Sequence, residues 1–257
     1  MLFVHGGGEG AHAADERLAA SLRDALGGGY DVRSPKMPNE GSPEVEAWKE
    51  RISEELAAMD GEAVLVGHSL GALFVLKYLS EEEPQKPVAG LFLVAAPYVG
   101  TGGWEVQEGA LREDFASELP EGLQVFLYHS RDDEVVPFAH LALYEAKLPR
   151  ATVRGFADRG HQFGDDLSEV ARDVERLEDD LPPGLAGPAR RALVAAGYRR
   201  LWQLAGLRES EVRELHGMGP KALGQLRRAL GARGLSFADG EVSDRGADGG
   251  RLREEGA

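Results

Sequence analysis

The chain has 257 residues, a net charge of −15, 42% hydrophobic and 28% charged residues, and no cysteine. Its length and composition suit a soluble globular protein with one α/β domain and a small extra module, and exclude disulfides, thiolate metal sites and a cysteine nucleophile. No apolar run approaches the roughly 20 residues that span a bilayer, and Met1-Leu2-Phe3-Val4-His5 lacks the basic and apolar regions of a signal peptide, so a cytoplasmic protein is expected.

In chain order, Leu2 to His5 reads as a very short strand beginning almost at Met1. Ala14 to Leu26 reads as a helix through Leu18, Leu22 and Leu26, stopped by Gly27-Gly28-Gly29. Tyr30 to Arg33 looks like a strand, Pro43 to Met59 like an acidic helix. The strand Val64 to Val66 and the helix Ala72 to Leu79 follow. Val88 to Ala95 is a continuous apolar run, as expected of a buried parallel strand. Gly100 to Gly122, with Gly102, Gly103, Trp104, Phe115 and Pro120, fits no strand and is expected to form a short cap, with Trp104 and Phe115 lining a substrate pocket. Leu123 to His129 and Ala151 to Phe156 read as strands, Ala139 to Ala146 and Asp166 to Leu177 as helices. This alternation implies an α/β fold: a mostly parallel sheet with helices on both faces.

The charge changes sign further along. Residues 1–180 carry 16 Lys+Arg against 35 Asp+Glu, residues 181–235 carry 10 against 3, and residues 236–257 carry 3 against 6. Such a change marks a domain boundary, and Leu181-Pro182-Pro183-Gly184 is a breaker. The expected organisation is an α/β domain over 1–179, a linker over 180–184, a small all-α domain over 185–235 and a disordered tail over 236–257. Short helices are expected over Pro188 to Ala196, Leu201 to Leu204, Glu209 to Leu215 and Pro220 to Leu230.

The sharpest motif is Gly67-His68-Ser69-Leu70-Gly71, placed between the strand and the helix. It is the pattern of a nucleophile elbow: a tight strand-to-helix turn presents one serine hydroxyl, and the flanking glycines permit close chain packing. The amide of Leu70, opening the helix, is free to hold an oxyanion. A serine hydroxyl needs a base, normally a histidine oriented by a carboxylate. In this elbow arrangement the acid and then the histidine follow the serine along the chain. Of seven histidines, order removes His5, His12 and His68. His129 precedes the acid, His140 lies inside a helix and His216 belongs to the other domain. His161, in the loop Asp158-Arg159-Gly160-His161, remains. Asp133 is the preferred acid and Asp132 the alternative, each after the strand Leu123 to His129; the neighbouring acid can hold the loop through backbone bonds. Gly7, in His5-Gly6-Gly7-Gly8, is the expected second oxyanion donor. No Gly-Lys-Ser/Thr ending makes this glycine loop a phosphate site.

These pieces carry a resemblance. His5-Gly6-Gly7, Pro35 and Pro38, the Ser69 pentapeptide, Ser130-Arg131-Asp132-Asp133 with Val136-Pro137, and Gly160-His161 make residues 1 to about 178 similar to the α/β-hydrolase superfamily. More narrowly, they resemble the small, nearly lidless serine hydrolases related to retinoblastoma-binding protein 9. The resemblance implies hydrolysis of an ester, thioester or related acyl bond through an acyl-enzyme on Ser69. A small acyl substrate is expected, with no cofactor, no metal and no membrane partner. The competing reading is a non-catalytic scaffold of the same fold, recruited to DNA or a protein by its C-terminal module.

That module contains Leu215-His216-Gly217-Met218-Gly219-Pro220-Lys221 and resembles helix–hairpin–helix domains, including the C-terminal domain of the bacterial RNA polymerase α subunit. The resemblance implies phosphate contact by backbone amides near Gly217 and Gly219, with Lys221 assisting and Arg227 and Arg228 as neighbours. Glu209, Glu211 and Glu214 beside the hairpin oppose phosphate attraction. Contact with a protein, the acidic hydrolase domain included, is therefore favoured over nucleic acid.

Overall fold

The computed structural model of the protein describes residues 1–105, 109–177 and 181–238. The chain divides after Leu177 into two compact units.

The first unit holds β1 (Leu2–Val4), α1 (Ala11–Leu26), α2 (Val45–Ala57), β2 (Ala63–His68), α3 (Leu70–Glu81), β3 (Val88–Val94), β4 (Gln124–Ser130), α4 (Ala139–Lys147), β5 (Thr152–Phe156) and α5 (Ser168–Leu177). All five strands are parallel, in the order β1-β2-β3-β4-β5. Because successive side chains of a strand point to opposite faces, each strand feeds two cores. Leu65, Leu91, Leu93 and Leu127 pack with α2, α3 and α4. Val66, Phe92, Val94, Phe126 and Tyr128 pack with α1 and α5. Burial on both faces explains why β2 and β3 read as apolar runs.

The expected strand Tyr30 to Arg33 is reduced to one parallel bridge between Arg33 and Leu2. With β1 only three residues long, the ladder stops at Phe3 N–H to Arg33 O and Arg33 N–H to Met1 O. Arg33 flanks β1 on the side away from β2. The chain thus leaves β1 through α1 to the outer edge and returns through α2 to β2. The reversal lies between β1 and β2, and in open parallel sheets the crevice outside the strand carboxyl ends at such a point is where ligands bind.

Of the expected cap segment, residues 100–105 and 109–122 are described, and they place Phe115 in the core instead of a pocket wall. This part runs from the carboxyl end of β3 towards the amino end of β4, held by Leu111 N–H to Val99 O and by the Lys77 ammonium on Ala110 O. Phe115 is fully buried in the core beside α3. Large apolar side chains gain more from the core than from an open pocket wall.

The second unit contains α6 (Gly187–Ala195), α7 (Leu201–Ala205), α8 (Glu209–Arg213) and α9 (Pro220–Ala232) around Leu193, Leu204, Val212, Leu226 and Leu230. Two residues expected outside this module belong to its core: Leu181 from the supposed linker and Phe237 from the supposed tail. Ala238 N–H also reaches Leu207 O at 2.8 Å. The rest of the expected tail, residues 239–257, lies outside the described residues. Between α8 and α9, Gly217 has φ 91°, and a Cβ there would sit 3.1 Å from the Pro188 backbone, so a left-handed turn packed against α6 requires glycine. No helix among the described residues is long and apolar enough to cross a membrane.

Candidate active site

The β2–α3 turn brings three chain segments into near contact. A Cβ on residue 67 would lie 2.5 Å from the Ala72 Cα, and one on residue 71 would lie 2.3 Å from the His5 carbonyl oxygen. Neither position has room for a side chain. Between them Ser69 adopts φ 51° and ψ −124°, a backbone state that costs a non-glycine residue on the order of 1–3 kcal/mol. It is held there by its N–H on Val94 O at 2.8 Å, with Ala72 N–H donating back to its carbonyl. The apolar α3 anchors the far side of the turn in the core.

His161 follows β5 and is nearly buried. Its Nε2 stands 3.0 Å from Ser69 Oγ, and its Nδ1 stands 2.9 and 3.0 Å from Oδ2 and Oδ1 of Asp133. The Asp133 side chain is fully buried. Its Oδ1 accepts the amides of Val135 and Val136 at 2.9 and 2.8 Å. His129 donates from Nε2 to the Val136 carbonyl, and the same nitrogen lies 3.3 Å from Asp133 Oδ2. Burial pushes the Asp133 carboxyl up, but the hydrogen bonds from His129, His161 and the two amides outweigh it and hold the group well below the usual carboxylate range. Asp133 is therefore a permanent acceptor facing Nδ1.

Asp132, the alternative acid, points elsewhere. Its Oδ1 accepts from the Gly160 amide at 2.9 Å and from Ser130 Oγ, which itself accepts from the Arg159 amide at 2.8 Å. It pins the loop that carries His161.

The glycine loop after β1 has assigned two of its amides. Gly6 N–H donates to Asp15 Oδ2, and Gly8 N–H to the Glu40 carbonyl. Gly7 N–H has no acceptor among the described residues, and neither has Leu70 N–H at the start of α3. The two are neighbours: a Cβ on Gly7 would fall 2.6 Å from Leu70 Cδ2. These two amides are candidate donors to an anion formed at the serine. His5 steadies this loop, donating from Nδ1 to Gly6 O at 2.7 Å and accepting the Met37 amide at Nε2. Burial lowers its pKa, which fits a neutral imidazole with one donor and one acceptor nitrogen.

Trp104 is 38% exposed and packs edge-on to His140 at 5.5 Å. Its partner in the expected pocket, Phe115, is sealed in the core. Among the described residues no group of three or more His, Cys, Asp or Glu could hold a metal ion. In the second unit Lys221, Arg227 and Arg228 are exposed, but Arg227 forks onto Glu209, which also takes Arg213 at 3.0 Å.

One feature of the site was missed from sequence. His68, set aside as a base, is buried against Asp15 of α1, with its Nδ1 2.7 Å from Asp15 Oδ2 and its Nε2 3.0 Å from the His161 carbonyl oxygen. The available signal was an aspartate on the buried stripe of α1, three residues before Leu18, together with an unpartnered histidine ending an apolar strand.

The family model for serine hydrolases matches residues 20–163, more than half of the chain. No curated protein matches the sequence. Among solved structures the chain is similar to the ydeN gene product of B. subtilis, with 20% identity over 68% of this chain and 97% of that one and a TM-score of 0.53. It is also similar to a monoacylglycerol lipase from Paleococcus ferrophilus, with 16% identity over 68% of this chain and 93% of that one and a TM-score of 0.52. At these identities the likeness is one of fold, the α/β-hydrolase fold. With that fold and the family match spanning its elbow serine, the chain belongs to the serine hydrolase family.

Proposed function

We propose that the protein hydrolyses an ester, thioester or related acyl bond through an acyl-enzyme on Ser69, with His161 as base and Asp133 as its orienting acid. The observation that carries this reading is the unbroken contact Ser69 Oγ–His161 Nε2 and His161 Nδ1–Asp133, at 3.0 and 2.9 Å. His161 takes the Ser69 proton as the oxygen adds to the acyl carbonyl, and Asp133 stabilises the resulting imidazolium. The Gly7 and Leu70 amides receive the negative charge on the former carbonyl oxygen; losing one such donor typically costs about 3 kcal/mol of barrier. His161 then hands its proton to the leaving alcohol or thiol, and the same base activates water to release the acid. Trp104, exposed beside His140, is the side chain we propose to offer an apolar surface to the acyl or leaving group.

A fluorophosphonate probe tests the reading. Mass spectrometry is expected to find the label on Ser69, and Ser69→Ala is expected to abolish labelling and p-nitrophenyl butyrate turnover without changing the thermal melt. A folded parent that never labels overturns it in favour of the non-catalytic scaffold.

For the second unit we propose a helix–hairpin–helix module, around Gly217 and Gly219, that contacts protein rather than nucleic acid. Its support is that Arg227 and Arg213 share the carboxylate of Glu209, which lowers the positive charge this face offers to a phosphate. A mobility-shift titration of the full chain against duplex DNA is expected to show no retardation at low salt; a salt-sensitive shift lost in Lys221→Ala overturns the preference.

A further inference from the structure

The serine hydrolase reading uses one His–Asp pair, yet the same sheet edge carries a second. Asp15 and His68 are each about 1% exposed and come from α1 and the end of β2. The carbonyl of His161 can only accept, so His68 Nε2 carries a proton. One further proton lies between His68 Nδ1 and Asp15 Oδ2. Burial opposes charge on both groups. Their mutual hydrogen bond and attraction outweigh it, with help from the Gly6 amide and Gln162 on the Asp15 side and the His161 carbonyl on the His68 side. With both ring nitrogens held by fixed acceptors, His68 has no lone pair for proton transfer.

The ends of this unit are informative. Asp15 accepts the amide of Gly6, the residue before the free amide of Gly7. His68 holds the carbonyl of His161 itself, with the two imidazoles 4.9 Å apart. One buried pair therefore ties the loop after β1 to the loop after β5, across residues 53 and 93 apart in sequence. Packing of α1 does not call for it, since Leu18, Ala19 and Leu22 already fill that face. A buried ion pair is a poor stabiliser compared with apolar residues of the same volume, so its location needs another explanation.

We propose that Asp15 and His68 are positioning residues for the hydrolytic reaction, a single proton-bridged pair that sets the Gly7 oxyanion amide and the His161 base in register with each other. The proposal rests on the serine hydrolase reading. Registering donor and base matters because displacing a reacting group by about 1 Å costs on the order of 10²-fold in rate.

The experiment uses Asp15→Asn, His68→Gln and the double variant of the full chain, with p-nitrophenyl butyrate kinetics, fluorophosphonate labelling rates and thermal melts. Each single variant is expected to lower kcat about 10²-fold with KM within about twofold, and to slow Ser69 labelling equally. The double variant is expected to fall no further than the singles, because either change breaks the same unit. A parent that labels at Ser69 while both folded variants keep kcat within about threefold overturns the role of the pair, as does a double variant whose losses multiply. A parent that never labels sinks the hydrolase reading instead. Should the variants fail to fold, nitrogen-15 spectra of the parent decide: protons on both His68 ring nitrogens support the pair, and a singly protonated ring ends it.

Discussion

Two His–Asp pairs sit at the same sheet edge, and they differ in one respect. His161 gives one nitrogen to Asp133 and turns the other to Ser69 Oγ. His68 gives one nitrogen to Asp15 and the other to a backbone carbonyl. Both rings are buried and both partners are carboxylates held below their usual pKa. The lesson is that a carboxylate beside an imidazole does not make a base. A base needs a nitrogen left over, facing a group that has a proton to give.

The comparison breaks most visibly at His161. His161→Ala is expected to lower kcat about 10⁶-fold and Asp133→Asn about 10⁴-fold, because the asparagine leaves the ring in the wrong tautomer. Steady-state kinetics check both, and a loss below tenfold in either case would remove that residue from the reaction. Further down the scale, Asp132→Ala leaves both pairs intact but frees the Gly160 amide. It is expected to cost about tenfold in kcat, the worth of about one charge-assisted hydrogen bond, and a loss as large as that of Asp133→Asn would reverse the assignment of the two acids.

The pH dependence of stability sharpens the contrast with the smallest effect. Asp15 is held below its ordinary value, so its stabilisation is present above about pH 4 and is lost as pH falls through the lower folded-state pKa. His68 is held above its ordinary value, so its stabilisation is complete below about pH 6.5 and is lost as pH rises through the folded-state pKa. Urea denaturation of the parent should therefore lose stability above pH 6.5, by at most about 1.4 kcal/mol per pH unit for this group. His68→Gln should flatten that slope; an unchanged slope would show that His68 is not a charged partner of Asp15.

Much of the first unit was legible beforehand. The inner strands β2 and β3 announced themselves as apolar runs, and the elbow was readable because Gly67 and Gly71 stand where a Cβ would meet backbone at 2.5 Å or less. His161 as candidate base, and Asp133 or Asp132 as candidate acid, followed from chain order and loop position. The illegible parts share a cause: each depends on a partner far away in sequence. Tyr30 to Arg33 shrank to a bridge because its neighbour β1 is short. Phe115 is core because the segment carrying it lies against α3. Leu181 and Phe237 look like linker and tail until the helices of the second unit enclose them.

The amino-acid sequence by itself determined the alternation of strands and helices and the turn that carries Ser69, and narrowed the candidate acid to Asp133 or Asp132 and the candidate base to His161, because local sterics and chain order leave few alternatives. Only the tertiary structure decided which carboxylate faces which imidazole, and which amides stay free to meet a substrate. Those are matters of distance between segments that the sheet brings together, and no local pattern encodes a partner 53 or 93 residues away.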